Sequence, residues 1–134
     1  MSDVIDVEGI GEAYAQKLKQ AGIATTDALL KSGATPAGRQ KIAEKTGISG
    51  KRLLRWINHV DLFRVNGIQK QYAELLEAAG VDTIPELAQR DPKHLHPKLA
   101  EVNKQKNLAG KLPGLDQVAD WISQAKKLPR MITY

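Results

Sequence analysis

The apolar positions of this chain recur at helical spacing. Leu53, Trp56, Ile57 and Val60 stand at i, i+3, i+4 and i+7, and Val118, Trp121, Ile122 and Ala125 repeat that stripe. Such spacing gives a helix one apolar face. Tyr14, Leu18 and Ala21 mark a further helix, matched by Tyr72, Leu75, Leu76 and Ala79. Start and stop signals bracket these stripes. Thr35-Pro36 and Asp91-Pro92 suit an N-cap followed by proline at the first helical position, and Ser49 suits the cap of a helix running on from Gly50. Gly22 and Gly80 each follow an apolar stripe, where a left-handed residue closes a helix. Val4-Ile5-Asp6-Val7 is the single β-like stretch, with no evident partner strand. The pattern predicts an all-α fold of short helices joined by tight glycine turns.

The chain also repeats itself, the mark of a tandem architecture. Displaced by 58 positions, Gly9-Ile10 falls on Gly67-Ile68, Tyr14-Ala15 on Tyr72-Ala73, Leu18 on Leu76, and Ala21-Gly22-Ile23 on Ala79-Gly80-Val81. Thr25 and Leu29 meet Thr83 and Leu87 in the same register. Further on, Arg55-Trp56-Ile57 answers to Asp120-Trp121-Ile122 at a displacement of 65, so the second copy carries seven extra residues, expected around Lys111-Leu112-Pro113-Gly114. Residues 1–64 read as the first copy, 65–128 as the second and 129–134 as a short tail, the two copies packed as one compact domain.

Composition sets limits on what such a chain does. Its 134 residues suit about one domain, and 42% hydrophobic residues suffice for a core. A mean hydropathy of −0.37 points to a soluble protein. Twenty Lys and Arg against 15 Asp and Glu leave a net charge of +5, which favours acidic partners. The absence of Cys excludes disulfides, a thiolate nucleophile and a cysteine zinc site. No apolar run approaches the ~20 residues that span a bilayer. The acidic start, Met1-Ser2-Asp3-Val4-Ile5-Asp6, lacks the apolar stretch of a secretory signal. The expectation is a cytoplasmic protein without a membrane partner.

The charge is unevenly spread. Residues 1–30 carry two Lys against five acids, whereas residues 37–64 carry seven Lys or Arg against two. In the second copy, residues 74–91 net −4 and residues 98–111 net +3. Each copy is acidic in front and basic behind.

Four glycine turns lie between the helical segments: Val7-Glu8-Gly9-Ile10-Gly11, Thr46-Gly47-Ile48-Ser49-Gly50-Lys51, Val65-Asn66-Gly67-Ile68-Gln69-Lys70 and the weaker Asn107-Leu108-Ala109-Gly110-Lys111. Glycine supplies backbone angles closed to other residues, and the hydrophobe between can plug the gap between helices. A turn opening onto a helix N-terminus offers unpaired N–H groups with a favourable dipole, a site for a phosphate oxygen. The best candidate is Gly47-Ile48-Ser49-Gly50 leading into Lys51, Arg52 and Arg55, where amides, a capping hydroxyl and three cations coincide. Lys106, Gly110 and Lys111 form a weaker second site.

Gly9-Ile10-Gly11 with Ala15, and Gly67-Ile68 with Ala73, resemble the tandem helix-hairpin-helix proteins. More narrowly, the chain resembles a mainly bacterial family known only as a domain of unknown function. That resemblance runs through Gly9-Ile10-Gly11, Ala21-Gly22-Ile23, Trp56-Ile57, Asp61-Leu62-Phe63-Arg64-Val65, Gly67-Ile68, Tyr72-Ala73, Ala79-Gly80-Val81 and Trp121-Ile122. It implies two helix-hairpin-helix repeats that grip duplex DNA phosphates through hairpin amides and a nearby Lys or Arg, without reading sequence. In some such proteins a monovalent cation sits at a hairpin. Gly9, Ile10, Gly11, Gly67, Ile68 and Lys70 join the candidate contacts on this ground. Two positions depart from the pattern. Glu12 places a carboxylate in the first turn after Gly11, and Gln69 replaces the second glycine with a residue poorly suited to left-handed angles.

Nothing in the chain spells out a catalytic site, and no enzyme is expected. The dinucleotide fingerprint fails because Tyr14 stands where its third glycine belongs. His94 and His96, beside Pro97, lack a neighbouring third ligand and read as a surface loop at a helix start. His59 reads as a partly buried bystander on the Trp56 helix. Trp56, Trp121, Tyr14 and Tyr72 read as core residues, which leaves too few rings to stack single strands. Two functions remain: a module binding duplex DNA phosphates, and a protein-interaction or scaffold module, self-association included, that keeps the fold without DNA.

Overall fold

The computed structural model describes residues 2–134; Met1, which opens the first predicted copy, lies outside them. Among the described residues the regular structure is helical. A 3-10 turn at Val4–Asp6 precedes α1 (Glu12–Gln20), α2 (Thr26–Gly33), α3 (Pro36–Thr46), α4 (Gly50–Leu62), α5 (Lys70–Ala78), α6 (Ile84–Ala88), α7 (Pro92–Lys106) and α8 (Leu115–Lys127). The β-like stretch at Val4 becomes that 3-10 turn because the Asp3 carboxylate accepts the Ile5 N–H and closes it locally. An isolated bridge from Asp3 to Thr25 is the nearest thing to a sheet. The Ile5 N–H, and then Lys19 at 3.0 Å, hold the Asp3 carboxyl below its ordinary range.

The caps form where the residue types call for them. Thr35 accepts the Gly38 N–H, Asp91 the Lys93 N–H, and Ser49 the Arg52 N–H. Thr25 and Thr83, in register between the copies, cap α2 and α6. At the ends of α1 and α5 the same closure is drawn twice. Ile23 donates to Leu18 and Gly22 to Lys19, and Val81 donates to Leu76 and Gly80 to Glu77. This is the double bond of a Schellman closure, with Gly22 at φ 85° and Gly80 at φ 92°.

The chain divides into two compact units, Met1–Asp61 with Met131–Tyr134, and Leu62–Arg130. In the first, the stripe Leu53, Trp56, Ile57 and Val60 is buried together with Leu18 and Leu29. In the second, α8 packs on α6 and α7, and α5 on α7, around Leu76, Leu87, Leu99, Val118 and Trp121. Both units carry one arrangement of rings: Tyr14 lies 5.2 Å from Trp56, and Tyr72 lies 5.2 Å from Trp121.

Residues 131–134 are more than a tail, for they complete the first unit. Ile132 is buried, Thr133 donates its N–H to the Ala34 carbonyl, and the Tyr134 hydroxyl donates to Asn58. Arg39 is buried beneath them, donating to Gly33 O at 2.8 Å and Thr133 O at 2.7 Å. The left-handed residue that ends α7 is Asn107 (φ 51°), answering to Gly47 (φ 74°) at the end of α3. Those two lie 60 positions apart and the tryptophans 65, so five of the extra residues fall between Asn107 and α8. His94 and His96 sit inside α7 rather than in a loop, because Asp91 and Pro92 start that helix ahead of them.

Gly9 (φ 91°) and Gly67 (φ 98°) are demanded twice over. A Cβ at Gly67 would meet Trp121 Nε1 at 2.9 Å, and one at Gly9 would meet Trp56 Nε1 at 3.1 Å. Gly67→Ala is therefore expected to lower stability by about 1–3 kcal/mol in a urea melt, since positive φ and contact add. Gly110→Ala, whose Cβ would meet nothing within 4 Å, should change it by less than about 0.5 kcal/mol. Equal losses at both positions would contradict this reading of the turn.

Candidate functional site

In the first unit two cations converge on Tyr14. The Arg52 guanidinium, from the opening turn of α4, donates to the Tyr14 hydroxyl at 2.7 Å and lies 5.3 Å from the ring centroid. The Lys17 ammonium lies 5.9 Å from that centroid. One ring thus holds two like charges, each favoured by its π-cloud. Arg55 Nη1 comes within 3.8 Å of the place a Cβ would take at Gly9. The opening turns of α4 accordingly lie on the first glycine turn, which brings Gly9 together with Arg55. Lys51 is exposed beside them and makes no ion pair among the described residues. Gly47 ends α3 and Gly50 begins α4, both exposed, with open space where a Cβ would stand.

Three of the expected contacts are withdrawn by their surroundings. Ile10, Ile48 and Ile68 are buried, and their amides are already used. Ile10 donates to Val7 O and Ile68 to Val65 O, each at 3.1 Å, and Ile48 donates to Thr46 Oγ1 at 3.2 Å. They plug the turns from within and present nothing to a ligand. Gln69 is no obstacle: it is extended (φ −124°, ψ −168°), as is its counterpart Gly11 (φ −78°, ψ 179°). The left-handed angle belongs to Gly67, so the second position of the turn never needed glycine. Both residues are N-caps that make no side-chain bond to the helix they open. On α1, Glu12 already answers the helix dipole.

In the second unit Gly67, Gln69, Lys70, Gln71, Tyr72 and Lys111 line a concavity of about 460 Å³. Tyr72 donates to Lys111 O at 3.0 Å, and Gly110 donates to Gln71 Oε1 at 3.5 Å. Gly67, Lys70, Gly110 and Lys111 are thereby brought together, whereas Lys106, exposed in the last turn of α7, does not line that concavity. The α8 opening is of opposite sign to that of α4. In the register of the two tryptophans, Lys51, Arg52 and Arg55 answer to Asp116, Gln117 and Asp120. No side chain caps α8 at Gly114.

The side-chain groups nearest the place of a Cβ at Gly9 are the Trp56 indole N–H and the Arg55 guanidinium, and those nearest it at Gly67 are the Trp121 indole N–H and the Gln117 amide nitrogen. Among the described residues no group of three or more His, Asp or Glu could hold a metal, and no helix is long and apolar enough to cross a membrane.

Two residues of this surface escape composition and spacing. Tyr14 reads as core from its stripe, yet is only half-buried with its hydroxyl bound to Arg52. Lys17 reads as one charge in an acidic segment. The signal that finds both is the difference between the copies: the tyrosine stays while the cations around it change. Arg39 errs the other way, a counted cation that is buried structure.

A family model described as a domain of unknown function (DUF4332) matches residues 8–128. No curated protein matches the chain, and no solved structure matches it.

Proposed function

We propose, from the premise that the chain belongs to the DUF4332 family, that it is a non-catalytic module that binds duplex DNA through the phosphate backbone without reading sequence. On this reading the paired glycine turns are helix-hairpin-helix motifs, and the first unit does the binding. The observation that carries it is the packing of the α4 opening onto the first glycine turn, with Arg52 on Tyr14 and Arg55 beside Gly9. Lys51 and Arg52 are exposed there in the first turn of a helix capped by Ser49, and charge held on a helix meets phosphates at fixed spacing. Lys70 and Lys111, with the amides of the second turn, make a lesser contact.

Fluorescence anisotropy with short duplexes of unrelated sequence tests this. Binding of equal strength to each duplex, weakening steeply with salt, is expected. A strong preference for one sequence, or no binding at low salt, would overturn it.

The second unit favours a second reading, a protein-interaction module. Asp116 and Asp120 stand where the first unit has Lys51 and Arg55, and carboxylates at a helix opening repel phosphate. Concentration-dependent sedimentation together with a null result on duplex DNA would select it.

A further inference from the structure

We infer that the first unit carries a second phosphate subsite, formed by Lys17 and Lys45, that extends the DNA contact along α1 to the end of α3. The inference rests on the DNA-binding reading above. Lys17, Gln20, Ala21, Lys45 and Thr46 line a concavity of about 460 Å³ between the last turns of α1 and α3. Both lysines are exposed, and neither makes an ion pair among the described residues. Other lysines of the same unit are paired, Lys19 with Asp3 at 3.0 Å and Lys31 with Asp27 at 3.2 Å. Two cations from separate helices facing one hollow repel each other, and an anion between them relieves that repulsion.

The concavity shares Lys17 with the first site, since the Lys17 ammonium and the Arg52 guanidinium lie 5.9 and 5.3 Å from the Tyr14 ring centroid. From the other side, Lys45 and Thr46 run directly into Gly47 and the turn that leads to Lys51. A sugar-phosphate backbone lying on Arg52 can therefore pass over Tyr14 and set a further phosphate between Lys17 and Lys45.

Lysines in the last turn of a helix commonly answer its dipole, and for Lys17 the second copy separates that role from this one. The position of Lys17 answers to Leu75, which is buried. In the register of Gly47 and Asn107 that of Lys45 answers to Gln105, although α7 keeps Lys104 and Lys106 in its last turn. Helix α5 has no basic residue in its last turn, yet it has the nine residues of α1 and the same closing bonds. The fold does not require Lys17. The hollow belongs to the unit whose α4 opening is basic, where a polyanion would use it.

The test is a salt titration of short duplex DNA with the full chain, comparing wild type with the double variant Lys17→Gln, Lys45→Gln. At about 0.9 per phosphate contact, the log–log slope should become shallower by roughly 1.8, and affinity in about 0.1 M salt should fall by roughly 60-fold. Circular dichroism should be unchanged. The control pair Lys19→Gln, Lys31→Gln removes the same charge from lysines already paired and should leave the slope alone. An unchanged slope in the first variant, or an equal change in the control, overturns the subsite while leaving the DNA reading intact. A wild-type chain that binds no duplex at low salt overturns the reading beneath it, and the subsite with it.

Discussion

Replacing Lys51 and Arg52 together by glutamate is expected to weaken duplex binding by roughly a hundredfold in about 0.1 M salt. Two lost phosphate contacts account for most of this, each worth about a factor of eight at that salt from the slope of 0.9 per contact. The new carboxylates add repulsion at the opening of α4. Stability should barely move, because both side chains are exposed and the Arg52 bond to the Tyr14 hydroxyl is a surface contact. A thermal melt within a few degrees of wild type, beside a lost anisotropy signal, is the expected pair of results. Wild-type affinity in the folded double variant would remove the α4 opening from the interface.

Replacing Arg39 by methionine should do the opposite, costing stability and leaving DNA affinity per folded molecule unchanged. Its guanidinium makes two short hydrogen bonds in a buried place, to Gly33 O and Thr133 O, and sits 6.0 Å from the Tyr134 ring. Charged hydrogen bonds contribute about 1.5–3 kcal/mol each, and the stranded carbonyls add to the loss, so a deficit of about 3–5 kcal/mol is expected in urea melts. Lys41→Met, an exposed neighbour on α3, serves as the comparison and should shift stability by less than about 0.5 kcal/mol. If both variants melted alike, Arg39 would not be the pin that holds residues 131–134.

Much of this architecture is legible in the sequence. Periodicity suffices for the helices and the buried stripe of α4 and α8, because burial of one face is what writes a 3.6-residue period into a sequence. Ser49, Thr35 and Asp91 are legible as caps because few residue types satisfy an open helix start. The duplication marks Trp56 and Trp121 as equivalent, and both are buried beneath a left-handed glycine. What escapes is set by distance along the chain. Arg39 meets Thr133 across 94 positions, and no local pattern announces a buried arginine closing a unit from its far end. Gln69 misleads because the first and second glycines of the turn look alike in sequence, while only the first takes a positive φ.

The candidate site is legible in part. Gly9 and Arg55 come together, as do Gly67, Lys70, Gly110 and Lys111. Ile10, Ile48 and Ile68 do not reach the surface, since the residue that plugs a turn cannot also face a ligand. Lys17 is hidden by segment counting, which assigns it to an acidic stretch, although in space it shares an aromatic ring with Arg52. Charge summed along a chain and charge summed over a surface are different quantities.

The central claim is that duplex phosphates neutralise cations fixed on this fold, and the salt dependence of wild-type binding tests it most directly. Anisotropy titrations of a short duplex at several salt concentrations should give a log–log slope of about −3.6 or steeper, the release expected when at least about four phosphates are engaged. A slope near zero, or no binding at the lowest salt, would contradict it.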